Sequence, residues 1–264
     1  MLDKKQKYLQ IALNNTLEDA RSIIEQIPID KRIILEAGTP LIKAYGQKAI
    51  AEIKTWWEQR IWGYPAGSFN PAMPNPLWFN LIKESLEKKA VLKQKGRGGN
   101  IQNGVFAPYI VADLKCMDRG AREVEIASWG GASAAVALGH APTETLDAFI
   151  EECEKHSLDS MIDMMNVEFP LNILRALKKP PQTVILHRGV DEETFDPESE
   201  IPFHEIQRIK NEYDIMIGVA GGDTFQEVQR AIFNDADIVV VWKSFYQSTA
   251  ETAKLAEQFL REIR

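Results

Sequence analysis

The segment Ala112-Asp-Leu-Lys-Cys-Met-Asp-Arg-Gly120 places three charges, Asp113, Lys115 and Asp118, directly after the apolar run Tyr109–Ala112. On an extended strand side chains alternate, so Asp113 and Lys115 share a face. Charges at such a place are costly to bury unless they are paired, hold a metal or take part in chemistry. A surface ion pair at a strand end is the alternative. A second carboxylate, Glu36, ends the run Arg32-Ile-Ile-Leu-Glu36. Carboxylates from two strands, Glu36 and Asp113, are the hard oxygen ligands that Mg²⁺ takes, with waters and substrate completing its shell. His187 ends the run Thr183–His187. Histidine is the side chain best suited to move a proton near neutrality, although a lone strand-end histidine also serves purely structural hydrogen bonding. Gly221-Gly222, ahead of a helical pattern, offers backbone N–H groups to a phosphate, with a tight turn as the alternative.

The elements that must hold these residues follow a steady rhythm. Strand patterns are expected at Tyr8–Asn14, Arg32–Glu36, Tyr109–Lys115, Ala132–Gly139, Asp159–Asn166, Thr183–His187, Asp214–Ala220 and Ala236–Trp242. Helical patterns follow each, at Leu17–Gln26, from Pro40 to about Trp57, through Glu123 and Ile126, and over Thr143–Lys155. The series continues at Leu171–Leu177, Phe203–Tyr213, Phe225–Phe233 and Ala250–Arg264. Thr16 and Pro40 stand where a cap and a first helical turn are expected. The acidic, proline-containing segment 192–202 reads as a solvated loop. The strand runs are too continuously apolar for one solvated face, so the pattern predicts a (β/α)8 TIM barrel, with a doubly wound sheet as the rival. In a barrel the strand C-termini carry the site. These ends bring Asn14, Glu36, Asp113, Lys115, Asp118, Asp163, Asn166, His187, Arg188, Asp191, Gly221, Gly222, Lys243 and Ser244 to one face.

The 264 residues suit one large barrel domain, and 45% hydrophobic with 26% charged residues is ordinary for a globular chain. A net charge of −7 argues against a generic nucleic-acid partner. Two cysteines, Cys116 and Cys153, form neither a disulfide framework nor a metal-ligand spacing, which suits a reducing compartment. With no long apolar stretch, a cytoplasmic protein with no membrane association is expected.

Glu36-Ala-Gly-Thr-Pro-Leu-Ile-Lys43, Ala112–Gly120, Leu138-Gly139, Met161-Ile-Asp-Met-Met-Asn166, His187-Arg-Gly-Val-Asp191 and Val219-Ala-Gly-Gly222 together resemble the orotidine-5′-phosphate-decarboxylase-like suprafamily. More narrowly, the chain resembles its branch of 3-hexulose-6-phosphate synthases and 3-keto-gulonate-6-phosphate decarboxylases. The resemblance implies a homodimeric barrel with its active site at the interface, a Mg²⁺ ion and a sugar-phosphate substrate. It implies Glu36 and Asp113 as metal ligands and Lys115 as hydrogen-bond donor to a developing enediolate. Asp118 would reach into the partner subunit's site, and His187 would transfer the proton. Gly221 and Gly222 would form the phosphate turn. A synthase would deprotonate ribulose 5-phosphate at C1 and add the enediolate to formaldehyde, whereas a decarboxylase would reach a similar enediolate by losing CO₂.

The chain departs from that pattern in three places. Asn14 stands where the family has an aspartate, removing a charge near Lys115. Strand eight ends in Val241-Trp-Lys-Ser244 instead of a glycine-containing turn; Lys243 can still supply a point charge to an anion, and Asn14, Ser244 and Arg188 stand with it as candidate substrate- and phosphate-binding side chains. Residues 58–106 form a long insertion between helix two and strand three, with an aromatic and proline-rich start and the basic segment Lys95-Gly-Arg-Gly-Gly-Asn100. That segment reads as a linker or as a phosphate nest, and the aromatics as a docking or dimer surface. These departures keep open a diverged barrel with a different phosphorylated substrate, or a metabolite- or partner-binding protein with little lyase activity.

Overall fold

Eight short strands, each buried on both faces, pair in parallel in sequence order and close on themselves. They are β1 (Tyr8–Leu13), β2 (Ile33–Ala37), β3 (Ile110–Cys116), β4 (Ala134–Leu138), β5 (Asp159–Asp163), β6 (Thr183–His187), β7 (Met216–Ala220) and β8 (Ile238–Val241). The computed structural model describes residues 1–63, 106–196, 198–222, 224–247 and 251–263. The register is continuous around the ring, from Leu9 opposite Ile33 to Tyr8 opposite Ile238. The expected (β/α)8 barrel is therefore the observed one.

Strand alternation sorts the side chains into two apolar layers. Tyr8, Ala12, Ile34, Val111, Val136, Met161, Ile185, Met216 and Val240 fill the barrel interior. The residues between them, such as Leu9, Ile11, Leu13, Leu35 and Ile217, pack outward against the helices. Each fully buried aliphatic side chain contributes about 1.5–3 kcal/mol. The interior is thus a largely apolar plug, with Gln10 as a buried polar side chain of β1.

The helices fall largely where the sequence places them. Leu17–Gln26, Thr143–Lys155 and Phe225–Phe233 match to the residue. Thr16 caps the first by accepting the Asp19 N–H at 3.1 Å. Three readings need correction. The helix expected from Pro40 to Trp57 is two helices, Thr39–Tyr45 and Gln47–Trp62, because Gly46 adopts φ 61° between them. The second runs five residues beyond Trp57, which is fully buried, and stops at Gly63, whose left-handed backbone (φ 71°) caps it. Residues 58–62 are therefore helix and no part of an insertion. Residues 64–105, with the aromatic cluster from Tyr64 onward and the basic glycine segment, lie outside the described residues, between that helix and β3. The supposed loop 192–202 begins instead as the helix Val190–Phe195, with Asp191, Glu192 and Glu193 in its first turn. Acids there complement the free N–H groups, which outweighs their solvated character. A further short helix, Lys243–Gln247, follows β8.

Candidate active site

The strand C-termini surround a cavity of about 620 Å³. Asn14, Glu36, Asp113, Lys115, Asp163, His187, Gly221 and Lys243 all line it. This volume suits a small-molecule ligand.

Lys115 and Asp113 reach the cavity through a distortion of β3. The register against β4 jumps from Ala112–Ala135 to Cys116–Ala137, and Lys115 takes a left-handed backbone, φ 49°. Plain alternation would give the shared face; the bulge re-aims it, a common device beside functional sites. The Lys115 Nζ lies 2.5 Å from Asp163 Oδ2 and 3.1 Å from Asp113 Oδ2. Burial works against its charge, yet Asp113, Asp163 and Glu36 together hold the ammonium above the ordinary lysine range.

Asp163 is 1% exposed and its carboxylate is fully engaged. Oδ2 accepts from Lys115 Nζ and from His187 Nδ1 at 2.8 Å, and Oδ1 accepts the Met165 N–H at 2.9 Å. Burial alone would raise its pKa, but His187 and Lys115 outweigh burial and hold it well below the usual carboxylate range. An ionised carboxylate only accepts, so Nδ1 of His187 must carry the proton. The neutral imidazole then has its lone pair on Nε2, on the cavity-lining ring. Asp163 is a central residue of this cluster, which the sequence places at a strand end without assigning it a role. Its only signal was an aspartate closing an apolar strand.

Glu36 lies in the opposite condition. It is 7% exposed, and Gln10 Nε2 donates to its Oε2 at 2.5 Å from inside the barrel. Burial first, then the charge of Asp113, pushes its pKa up to about 7, against the pull of Lys115 and Gln10. Asp113 Oδ2 also accepts from Thr39 Oγ1 at 2.9 Å, while its Oδ1 is buried without a hydrogen-bond partner among the described residues. An orphaned carboxylate oxygen beside a second, under-compensated carboxylate is the donor set that a hard divalent cation fits. Among the described residues no three His, Cys, Asp or Glu side chains are grouped to hold a metal, so water or substrate oxygens would complete such a shell.

The remaining expected residues separate. Gly221 lines the cavity with φ 88°, and a Cβ there would come within 2.1 Å of the Arg188 carbonyl oxygen, so glycine is required. Gly222 is buried behind it, where a Cβ would lie 2.9 Å from Glu227 Cβ. Arg188 does not line the cavity. Its guanidinium donates to the carbonyls of Gly221 (2.8 Å) and Ser199 (3.0 Å) and to Glu227 (3.1 Å), bracing the turn. Lys243 lines the cavity and pairs with Glu193 at 2.5 Å, whereas Ser244 lies behind the lining. Asn14 lines it too, so close to Gly38 that any side chain there would collide with the Asn14 amide. Asp118 is exposed, outside this chain's cavity.

Fold and site together define a (β/α)8 barrel with a lysine–carboxylate–histidine array at the strand C-termini. A family model, orotidine 5′-phosphate decarboxylase / HUMPS, matches residues 104–258, and the chain belongs to that family. It is 32% identical over 262 residues to the bifunctional enzyme Fae/Hps of Methanosphaera stadtmanae, covering 97% of this chain and 52% of that protein. The Methanocella arvoryzae protein of the same name is 33% identical over 241 residues, covering 90% of this chain and 48% of its own length. The chain thus spans about half the length of these relatives. Among solved structures, 3-hexulose-6-phosphate synthase from Salmonella typhimurium superposes with a TM-score of 0.66 at 20% identity, covering 97% of this chain and 99% of that one. KGPDC from Streptococcus mutans gives a TM-score of 0.66 at 15% identity, covering 98% of this chain and 97% of that one. These two likenesses establish the shared fold.

Proposed function

We propose that the chain is a Mg²⁺-dependent carbon–carbon lyase acting on a sugar phosphate through an enediolate, most like 3-hexulose-6-phosphate synthase. The observation that carries this reading is the sharing of Asp163 Oδ2 between Lys115 and His187. It supports the reading by bringing an ammonium and an imidazole to one carboxylate oxygen. In the synthase direction, His187 Nε2 takes a proton from C1 of ribulose 5-phosphate. The C–H electron pair becomes the C1–C2 double bond, and the C2 carbonyl oxygen becomes an oxyanion beside the Lys115 ammonium. The C1–C2 double-bond pair then forms the bond to the formaldehyde carbon, and the C2 oxyanion re-forms the carbonyl. The formaldehyde C=O pair moves onto its oxygen, and that alkoxide takes a proton back from His187 Nε2–H. Glu36 and Asp113 would hold the Mg²⁺, which when bound supplies Lewis-acid stabilisation of the enediolate oxygens. Asp163 stays ionised throughout and fixes the imidazole tautomer. Gly221 and Lys243 are the groups offered to the phosphate. A homodimer, with Asp118 of each chain reaching toward the other's site, completes the proposal. A cytoplasmic setting accords with Cys116 and Cys153 being free and buried. No helix among the described residues is long and apolar enough to cross a membrane.

A second reading, a related barrel acting on a different phosphorylated ligand or binding it with little turnover, draws on Trp242 lining the cavity at the end of β8. Purified protein given ribulose 5-phosphate and formaldehyde, with and without Mg²⁺, separates the two. Metal-dependent loss of formaldehyde supports the synthase. No turnover in a folded, metal-binding protein favours the second reading.

A further inference from the structure

The corner of the cavity beyond Gly221 already contains an anion. Glu193, on the helix Val190–Phe195, lines the cavity, and its Oε2 accepts from Lys243 Nζ at 2.5 Å. Its other oxygen, Oε1, lies 3.9 Å from Arg188 Nη2. The carboxylate thus sits between two cations reached from β6 and β8, beside the glycine whose φ of 88° and close packing on Arg188 leave no room for a side chain. Arg188 cannot turn toward a ligand without abandoning the carbonyls of Gly221 and Ser199, so it is a fixed wall. Lys243, on a flexible four-carbon stem, can exchange one partner for another. The neighbouring Glu192 is occupied elsewhere, accepting from the Gly189 N–H at 3.3 Å and from the Ser199 hydroxyl. The helix is thereby held in place independently of Glu193.

We infer that Glu193 is a resident anion in the phosphate subsite, and that substrate phosphate binds by displacing its carboxylate from Lys243. This rests on the sugar-phosphate reading of the cavity and goes beyond it by assigning the exchange to one residue. A carboxylate held between two cations mimics one edge of a phosphate, offsets the Lys243 charge in the unliganded corner and discriminates by charge. A neutral sugar cannot compete for Lys243, whereas a dianionic phosphate can. Glu193 then sets phosphate affinity without touching the reacting carbons.

Calorimetric titration of the whole protein with inorganic phosphate tests this without requiring turnover. Glu193→Gln keeps the shape and removes the charge; it is expected to bind phosphate about fivefold tighter or more than the wild type. Lys243→Met is expected to lose binding by at least about tenfold. Glu192→Gln removes an equal charge one residue away and is expected to leave phosphate affinity unchanged. Equal or weaker binding in Glu193→Gln, or the same gain in Glu192→Gln, overturns the exchange. So does a failure of all three variants and the wild type to bind phosphate. The formaldehyde assay judges the lyase reading separately, so the two failures are distinguishable.

Discussion

Glu36 on β2 and Asp163 on β5 are both buried carboxylates on one cavity wall, yet they are held in opposite states. Asp163 has both oxygens answered from within the chain, by Lys115, His187 and the Met165 N–H, and is held ionised. Glu36 has one amide donor, Gln10, and a like charge beside it, and its pKa rises to about 7. Burial is common to both, so burial does not set their roles; the count of cationic and N–H donors does. The chain completes one carboxylate itself and leaves the Glu36–Asp113 pair short of positive charge. On the proposed function, the first would orient the base and the second would receive the cation.

Lys115 joins the two sides, so removing it should have the largest effect. Lys115→Met is expected to lower turnover by at least about 10³-fold. It should also cost about 3 kcal/mol of stability by leaving buried carboxylates uncompensated, as read by urea unfolding. Near-normal turnover would break the assigned role. Asp163→Asn should reduce turnover by about 10²–10⁴-fold with little change in KM, because the imidazole loses its tautomer-fixing acceptor. Steady-state kinetics with kcat and KM separated is the check.

The pH dependence of stability should carry opposite signs from the two carboxylates. Glu36 has a folded pKa of about 7 against an ordinary 4.5, so the unfolded chain releases its proton first. Metal-free protein should therefore lose up to about 3 kcal/mol as pH rises from about 4.5 to about 7, and Glu36→Gln should abolish that loss. Asp163 lies below its ordinary 3.8, so its contribution is present above that value and is lost as pH falls below it. Chemical unfolding across pH 3–8 in chelator would show the Glu36 limb in full and the start of the Asp163 limb at its acid end. The smallest effect is expected from Gln10→Leu, which removes the donor that orients Glu36. Divalent-cation affinity should fall about 10- to 100-fold while Asp163 and its partners are unaffected.

Much of this was legible in the sequence because barrel strands advertise themselves. Continuous apolar runs ending in Glu36, Asp113 and His187 located both the barrel and its working face. The strand-end position alone could not rank Asp163, since its importance is a meeting of β3, β5 and β6 side chains on one oxygen. Arg188 shows the converse: its charge suggested a phosphate ligand, but the left-handed turn at Gly221 leaves a carbonyl that the guanidinium satisfies. The pairing of Glu193 with Lys243 joins residues distant in sequence, and no local pattern encodes it. The split at Gly46 was hidden because the helical periodicity resumes on its far side.

The most direct test of the contrast is calorimetric titration of Mg²⁺ into the wild type and Glu36→Gln at pH 6, 7 and 8. The account predicts wild-type binding that tightens as pH rises through about 7, when Glu36 gives up its proton, and little or no binding in Glu36→Gln. Binding that is equally strong in both proteins, or absent from the folded wild type at pH 8, would contradict it.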